Sequence, residues 1–175
     1  LHRHKITVSL AYAAVDPSTA KAEDLDTLTD VYTGISLSVR AERTENETAA
    51  IRKMASGATL RGIQCCAIVP VSDVIRDDTA ASLNAVCSLA QELSSLGFTE
   101  MLITGITGEE SAVALAEIPG SIRESTPGIR IGFGVTAAAL DSGSFAPALE
   151  VVAETADFMA LDPGSVTDTE KAVEN

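Results

Sequence analysis

Six short apolar runs, rich in β-branched residues, recur along the chain at intervals of about thirty residues, and this spacing constrains the fold more than any other feature. They are residues 5–14 (KITVSLAYAA), 31–39 (VYTGISLSV), 62–71 (GIQCCAIVPV), 100–106 (EMLITGI), 129–136 (IRIGFGVT) and 157–161 (DFMAL). Near-continuous apolarity, rather than alternation, predicts strands covered on both faces. The segments between them carry helical period. The clearest is 79–96, where Leu83, Val86, Ala90 and Leu93 share one face, Asp77 and Asp78 offer N-cap acceptors, and Gly97-Phe98 offers a left-handed stop. Weaker helical patterns cover 48–60, 109–123 (interrupted by Pro119 and Gly120), 145–155 and a polar stretch at 18–30. Strand, helix, strand at this interval is the pattern of βαβ units and a parallel sheet. The expected fold is a reduced or divergent (β/α) TIM-type barrel of about six βα units, with an open doubly wound sheet as the alternative. Residues 1–165 read as one α/β domain and 166–175 as a polar tail.

Composition narrows the function classes. The chain is 46% hydrophobic, and its net charge of −13 opposes binding to nucleic acid or to an anionic membrane surface. No apolar run approaches the roughly 18 residues of a membrane span, so no direct membrane insertion of this segment is expected. Leu1 in place of an initiating Met reads either as processing or as a missing upstream segment, where any signal peptide or anchor would be expected. Cys65 and Cys66 are adjacent in a strand and point to opposite faces, which spoils them as a joint metal site. With Cys87 they read as small core residues.

Parallel α/β folds place their sites at the carboxyl ends of the strands. Those ends hold many carboxylates but no histidine, because His2 and His4 precede the first strand. A Ser-His-Asp triad and a histidine-bound zinc are thereby excluded from the main body. Asp73, Glu109 and Asp162 are the candidate catalytic acids, since glycosidic hydrolysis needs two carboxyls facing across the substrate. Capping explains acids at helix starts equally well. Arg40, Arg76, Thr104, Thr107, Gly132, Gly134 and Thr136 are the candidate ligand-binding residues. Gly132–Ala137 (GFGVTA) matches G-x-G-x-x-A without the acidic residue expected about twenty positions later; its glycines either admit a phosphate or relieve crowding inside a barrel. Asn46-Glu47-Thr48 fits a glycosylation acceptor and is assigned no function. No cofactor and no metal are expected.

The block 62–106 resembles glycoside-hydrolase-like TIM-barrel domains of bacterial envelope proteins, in which a helix ending in a Leu-Gly-Phe-Asp-Glu-like phrase leads into a strand ending in acidic residues. Leu96, Gly97, Phe98, Thr99 and Glu100 match the phrase, and Asp73 and Arg76 occupy the preceding loop. Where such relatives carry aspartates, this chain has Thr104-Gly105-Ile106-Thr107-Gly108, and with 3% aromatic residues and no Trp it has little on which to stack a sugar. The resemblance therefore implies an envelope module that has lost its catalytic acids and binds a glycan or a protein partner, outside the cell or anchored through a segment upstream of Leu1; a cytoplasmic location is the alternative. A second likeness, of 105–111 (GITGEES) and 131–136 (IGFGVT), is to phosphate-binding barrels of the tryptophan synthase alpha-subunit type, with Gly132 and Gly134 as the phosphate contacts. That family has two further strands between the phrases. The alternative function is accordingly an active barrel: a glycan hydrolase using strand-end carboxylates, or a phosphometabolite lyase or isomerase using Gly132–Gly134.

Overall fold

The computed structural model describes residues 12–28, 32–107, 110, 112–136 and 146–161. Six strands form one sheet: β1 (Tyr12–Val15), β2 (Gly34–Ser38), β3 (Gln64–Pro70), β4 (Glu100–Ile106), β5 (Arg130–Val135) and β6 (Phe158–Leu161). Every neighbouring pair is parallel and the spatial order is the chain order. A doubly wound sheet reverses its order at a switch point, whereas consecutive parallel strands are the order of a (β/α) barrel. The barrel expectation is met and the doubly wound alternative is not. Among the described residues β1 and β6 do not pair with each other, so the sheet has two edges.

The connections carry helices α1 (Leu25–Leu28), α2 (Glu45–Leu60), α3 (Val71–Val74), α4 (Thr79–Leu96), α5 (Ala112–Ser125) and α6 (Ala146–Thr155). Local chemistry sets their ends. Asp78 accepts from the Ala81 N–H at 2.8 Å to start α4; at its end Gly97, at φ 99°, and Phe98 donate to the Ser94 and Leu93 carbonyls while the Phe98 ring is buried. Helix α2 begins three residues before the predicted 48 because Thr44 and Glu47 form a reciprocal capping box. Its first turn contains the Asn46-Glu47-Thr48 triplet. Helix α5 runs through Pro119, where an interruption was expected. An interior proline costs about 3 kcal/mol, and burial of Leu115, Ile118, Pro119 and Ile122 on one face offsets it.

The two faces of the sheet differ. Ile35, Leu37, Ala67, Val69, Met101, Ile103, Ile131 and Phe133 alternate toward the helices and are fully buried against Met54, Val86, Leu93, Leu115 and Ile122. The opposite residues line the inside of the curled sheet: Tyr12, Gly34, Ser36, Gln64, Cys66, Glu100, Arg130, Gly132 and Phe158. Apolar cover on both faces, expected from the runs, is thus complete on the helix side, while the inner side mixes polar residues with Cys66, Ile68, Leu102 and Phe158. Two inner glycines admit aromatic rings from the edge strands. A Cβ on Gly34 would lie 2.2 Å from the Tyr12 ring, and one on Gly132 would lie 2.2 Å from the Phe158 ring. Cys65 and Cys66 face opposite sides as expected; burial pushes both thiols up to about 12.

Two outcomes follow from this packing. Gly132→Ala should lower stability in urea unfolding by about 1–3 kcal/mol, whereas Gly120→Ala, exposed in α5 with open space around it, should be neutral or stabilising by up to about 1 kcal/mol. Thiol titration of the native protein at pH 8 should leave Cys65 and Cys66 unmodified until denaturant is added, with the half-buried Cys87 reacting first.

Candidate functional site

The amino ends of the strands hold a buried polar network. The Glu100 carboxylate, 2% exposed, accepts from Arg130 Nη1 at 2.8 Å and from the Tyr12 hydroxyl, whose oxygen also lies 3.1 Å from Gln64 Oε1. Glu100 and Arg130 are register partners on adjacent strands, and the Arg130 guanidinium lies 5.5 Å from the Phe158 ring centre. Burial and the adjoining carboxylate hold the Tyr12 phenol protonated well above its ordinary range. Below the network lies Asp157: burial opposes its ionisation, but Arg123 and the Ile131 N–H, each at 2.8 Å, hold it below the usual carboxylate range. Residues of β1 and β6 alike bound one cavity of about 700 Å³ here. Each of these charged groups has a partner, and this is the end of a barrel that conventionally serves stability.

The carboxyl ends hold the predicted site residues. Arg40, after β2, forks onto Asp73 with Nε–Oδ2 2.8 Å and Nη2–Oδ1 2.7 Å, and the Ala41 N–H donates to the same carboxylate at 2.8 Å. Burial raises the Asp73 proton affinity, but these donors and the charge of Arg76 outweigh it and keep Asp73 ionised. Asp73 is therefore a brace between the loops after β2 and β3. Arg76 donates to the Ser72, Asp73 and Ile75 carbonyls, and with Arg40 and Asp73 it lines a depression of about 460 Å³. Thr107 donates its N–H to both oxygens of Glu110 at 3.1 Å. Thr136 is buried, its N–H on the Ile106 carbonyl at 3.0 Å. Thr104 and Gly134 touch across β4 and β5, where a Cβ on Gly134 would lie 3.0 Å from Thr104 Cγ2; with Phe158 over Gly132, packing accounts for both glycines. Glu109 and Asp162 lie outside the described residues. Of the described members of the predicted set, Arg40, Asp73 and Arg76 converge, and Thr104 meets Gly134.

A second cavity at this end, of about 530 Å³, opens between the ends of β1 and β2 and the start of α2. Ser36, Ser38, Arg40, Arg43, Asp16 and Glu47 supply its polar wall, with Ala14, Ile51 and Ile68 among its apolar lining. Asp16 is fastened by the Ser18 hydroxyl (2.6 Å) and N–H (2.9 Å), which hold it ionised, and Glu47 is fastened by Thr44. Arg43 is unusual. Its side chain is only 5% exposed, Nη2 pairs with Glu92 and Nη1 donates to the Arg40 carbonyl at 2.6 Å, yet Nε is buried without any hydrogen-bond partner. A buried unsatisfied donor costs about 1–3 kcal/mol. Residue-type patterns pointed to Arg40 and passed over Arg43, although both follow the same strand; burial is what separates them.

The described residues bring together no group of three or more His, Cys, Asp or Glu side chains able to hold a metal, and none of their helices is long and apolar enough to cross a membrane.

No protein-family profile and no curated protein sequence matches the chain. Solved structures do. The carboxyl transferase domain from Rhizobium etli pyruvate carboxylase, determined with pyruvate and biocytin, superimposes with a TM-score of 0.61 at 15% identity over 83% of this chain and 24% of that one. The HMG-CoA lyase from Brucella melitensis gives 0.56 at 14% identity, over 84% of this chain and 54% of the lyase. The fold is of the TIM-barrel type. The chain spans about a quarter of the carboxyl transferase domain and about half of the lyase. These neighbours correct the sequence reading: they are a carboxyl transferase and a lyase, not glycoside-hydrolase-like envelope domains. The Leu96–Glu100 phrase reports a helix stop and a strand start, built by the Gly97 cap and the buried Glu100, which any βα unit needs. The reading as a glycan- or protein-binding envelope module rested on that phrase and is withdrawn with it.

Because Asp73 and Asp157 are held below their unfolded values, their stabilisation is present above about pH 4 and lost as pH falls through the depressed folded values. Asp73→Asn should therefore lower the urea midpoint at pH 7 and leave a shallower loss of stability between about pH 4 and 2. Arg130→Met, which strips the buried Glu100 of its ion pair, should cost about 2 kcal/mol at pH 7, less than for a fully buried pair because Arg130 is 49% exposed.

Proposed function

We propose that this chain forms part of a TIM-type barrel enzyme that carries out a lyase or group-transfer reaction on a small carboxylate substrate, held at the carboxyl ends of β1 and β2. The observation that carries this reading is the cavity between those ends and α2, on the face where barrels place their chemistry. Its wall mixes hydroxyls and guanidinium groups with an aliphatic floor, the lining suited to a short organic acid. The enzymatic nature of both structural neighbours supports the same reading. Within the site, the fastened Asp16 and Glu47 would orient a substrate rather than exchange protons near neutral pH, since their local hydrogen bonds favour the ionised form.

Assaying the protein against a panel of 2-oxo and 3-hydroxy acids, with oxo-acid or aldehyde release as the readout, tests the proposal. Turnover of at least one acid is expected, and Ser38→Phe, which would fill the cavity, should lower kcat/KM at least about tenfold, or roughly 1.4 kcal/mol. Absence of turnover across the panel, or full turnover in the filled variant, overturns it.

A further inference from the structure

We infer that the outer face of α2, α4 and α5 docks a second copy of this chain, about a two-fold axis running along α4. This surface lies on the helical ring, away from the strand-end cavity, and is independent of what that cavity binds. In the ring α4 packs between α2 and α5. Helices that each follow a parallel strand run side by side in one direction, so their outward rows can be read together. On α4 the row is Asn84, Ser88, Gln91 and Ser95, at steps of four, three and four; all are exposed and none is charged. The one charged residue of this 18-residue helix, Glu92, is held by Arg43. In a chain with 25 acidic and 12 basic residues an exposed helix without a free charge stands apart, and depletion of charge is the compositional sign of an interface core.

The two flanking helices carry opposite charge, in rows with the same steps. Helix α2 presents Ala49, Lys53, Ser56 and Leu60, with Arg52 beside Lys53, and its acids are confined to the first turn. Helix α5 presents Val113, Glu117, Gly120 and Glu124, and its one base, Arg123, is spent on Asp157 and the Thr155 carbonyl. Arg52, Lys53, Glu117 and Glu124 make no ion pair among the described residues. The same two rows hold the most exposed large apolar side chains described, Leu60 at 86% and Val113 at 61%.

These charges select the axis. Rotation about a line along α4 exchanges left and right and preserves direction, so α2 of each copy lies against α5 of the other. Level by level, Lys53 then meets Glu117 of the partner subunit and Ser56 meets Gly120 of the partner subunit. At the ends, Ala49 meets Val113 of the partner subunit and Leu60 meets the aliphatic stem of Glu124 of the partner subunit. Rotation about a line across α4 would instead set α2 against α2 and α5 against α5, opposing like charges. A convex ring brings the two α4 helices closest and leaves the flanking helices further apart, a gap that Lys, Arg and Glu side chains span.

Sedimentation equilibrium of the full chain at low ionic strength, up to about 100 μM, tests the assignment. The mass of a dimer is expected. The double variant Arg52→Glu/Lys53→Glu and, separately, Glu117→Lys/Glu124→Lys should each raise Kd at least about tenfold. An equimolar mixture of the two should associate again, because in the mixed dimer both α2–α5 contacts join opposite charges. Ser88→Arg, which sets a cation against its own copy across the axis, should also dissociate the dimer. All five positions are exposed, so the fold stands in each variant, and circular dichroism checks it. A monomer at the highest concentration, a dimer indifferent to either reversal or to Ser88→Arg, or a mixture of the reversed variants that stays monomeric overturns the assignment.

Discussion

A single carboxylate, Glu100, determines how the sheet curls. It is buried on the inner face at the start of β4, where an unpaired ion would be prohibitively costly. Its partners come from the adjacent strand and from the far edge: Arg130 on β5, and Tyr12 on β1, three strands away. That reach is open only because Gly34 leaves the inner surface of β2 bare beneath the Tyr12 ring. The mirror arrangement holds on the other side, where Gly132 leaves β5 bare beneath Phe158 and Arg130 rests against the same ring. Satisfying Glu100 therefore draws β1 over β2 and ties the curvature of the sheet to two glycines and one ion pair. The helices add the apolar free energy on the outside; the polar network at the amino ends fastens the curl from inside.

The two ends of the barrel divide the work. At the amino ends the charged groups answer one another, which makes the network rigid and leaves little for a ligand. At the carboxyl ends Asp73 is consumed by bracing two loops, and Arg76 by the carbonyls of α3. Among the buried side-chain atoms of the described residues, the Arg43 Nε is left without a hydrogen-bond partner. A protein carries an unsatisfied buried donor at a cost to stability, and such groups concentrate where function sets the requirement.

Several site features were legible without coordinates, and the reasons are local. The Asp78 cap, the Gly97 stop and the opposed side chains of Cys65 and Cys66 depend on neighbours within a few residues, so spacing reveals them. The capacity of Gly132 and Gly134 to relieve crowding was legible as one of two readings, but the crowding groups, Phe158 and Thr104, lie on other strands. Asp73 stood out as a strand-end acid, yet its partner Arg40 is 33 positions away, and that contact turns a candidate acid into a brace. The Glu100–Arg130–Tyr12 network left one trace: charged residues opening otherwise apolar strands, at positions whose alternation faces inward. The glycosidase likeness failed for a related reason, since a helix stop followed by a strand start carries topology rather than chemistry.

The sequence by itself determined six parallel strands and their intervening helices, because hydrophobic period, caps and glycine stops act over a few residues and are written in order. It also determined that the main body has no histidine to offer. Only the tertiary structure decided between a barrel and a doubly wound sheet, because the two share the same βα units and differ in which strands become neighbours. It alone decided which charged groups are spent and which is left over. Pairing joins residues 30 to 88 positions apart, and the burial that leaves the Arg43 Nε unanswered exists only in the folded chain.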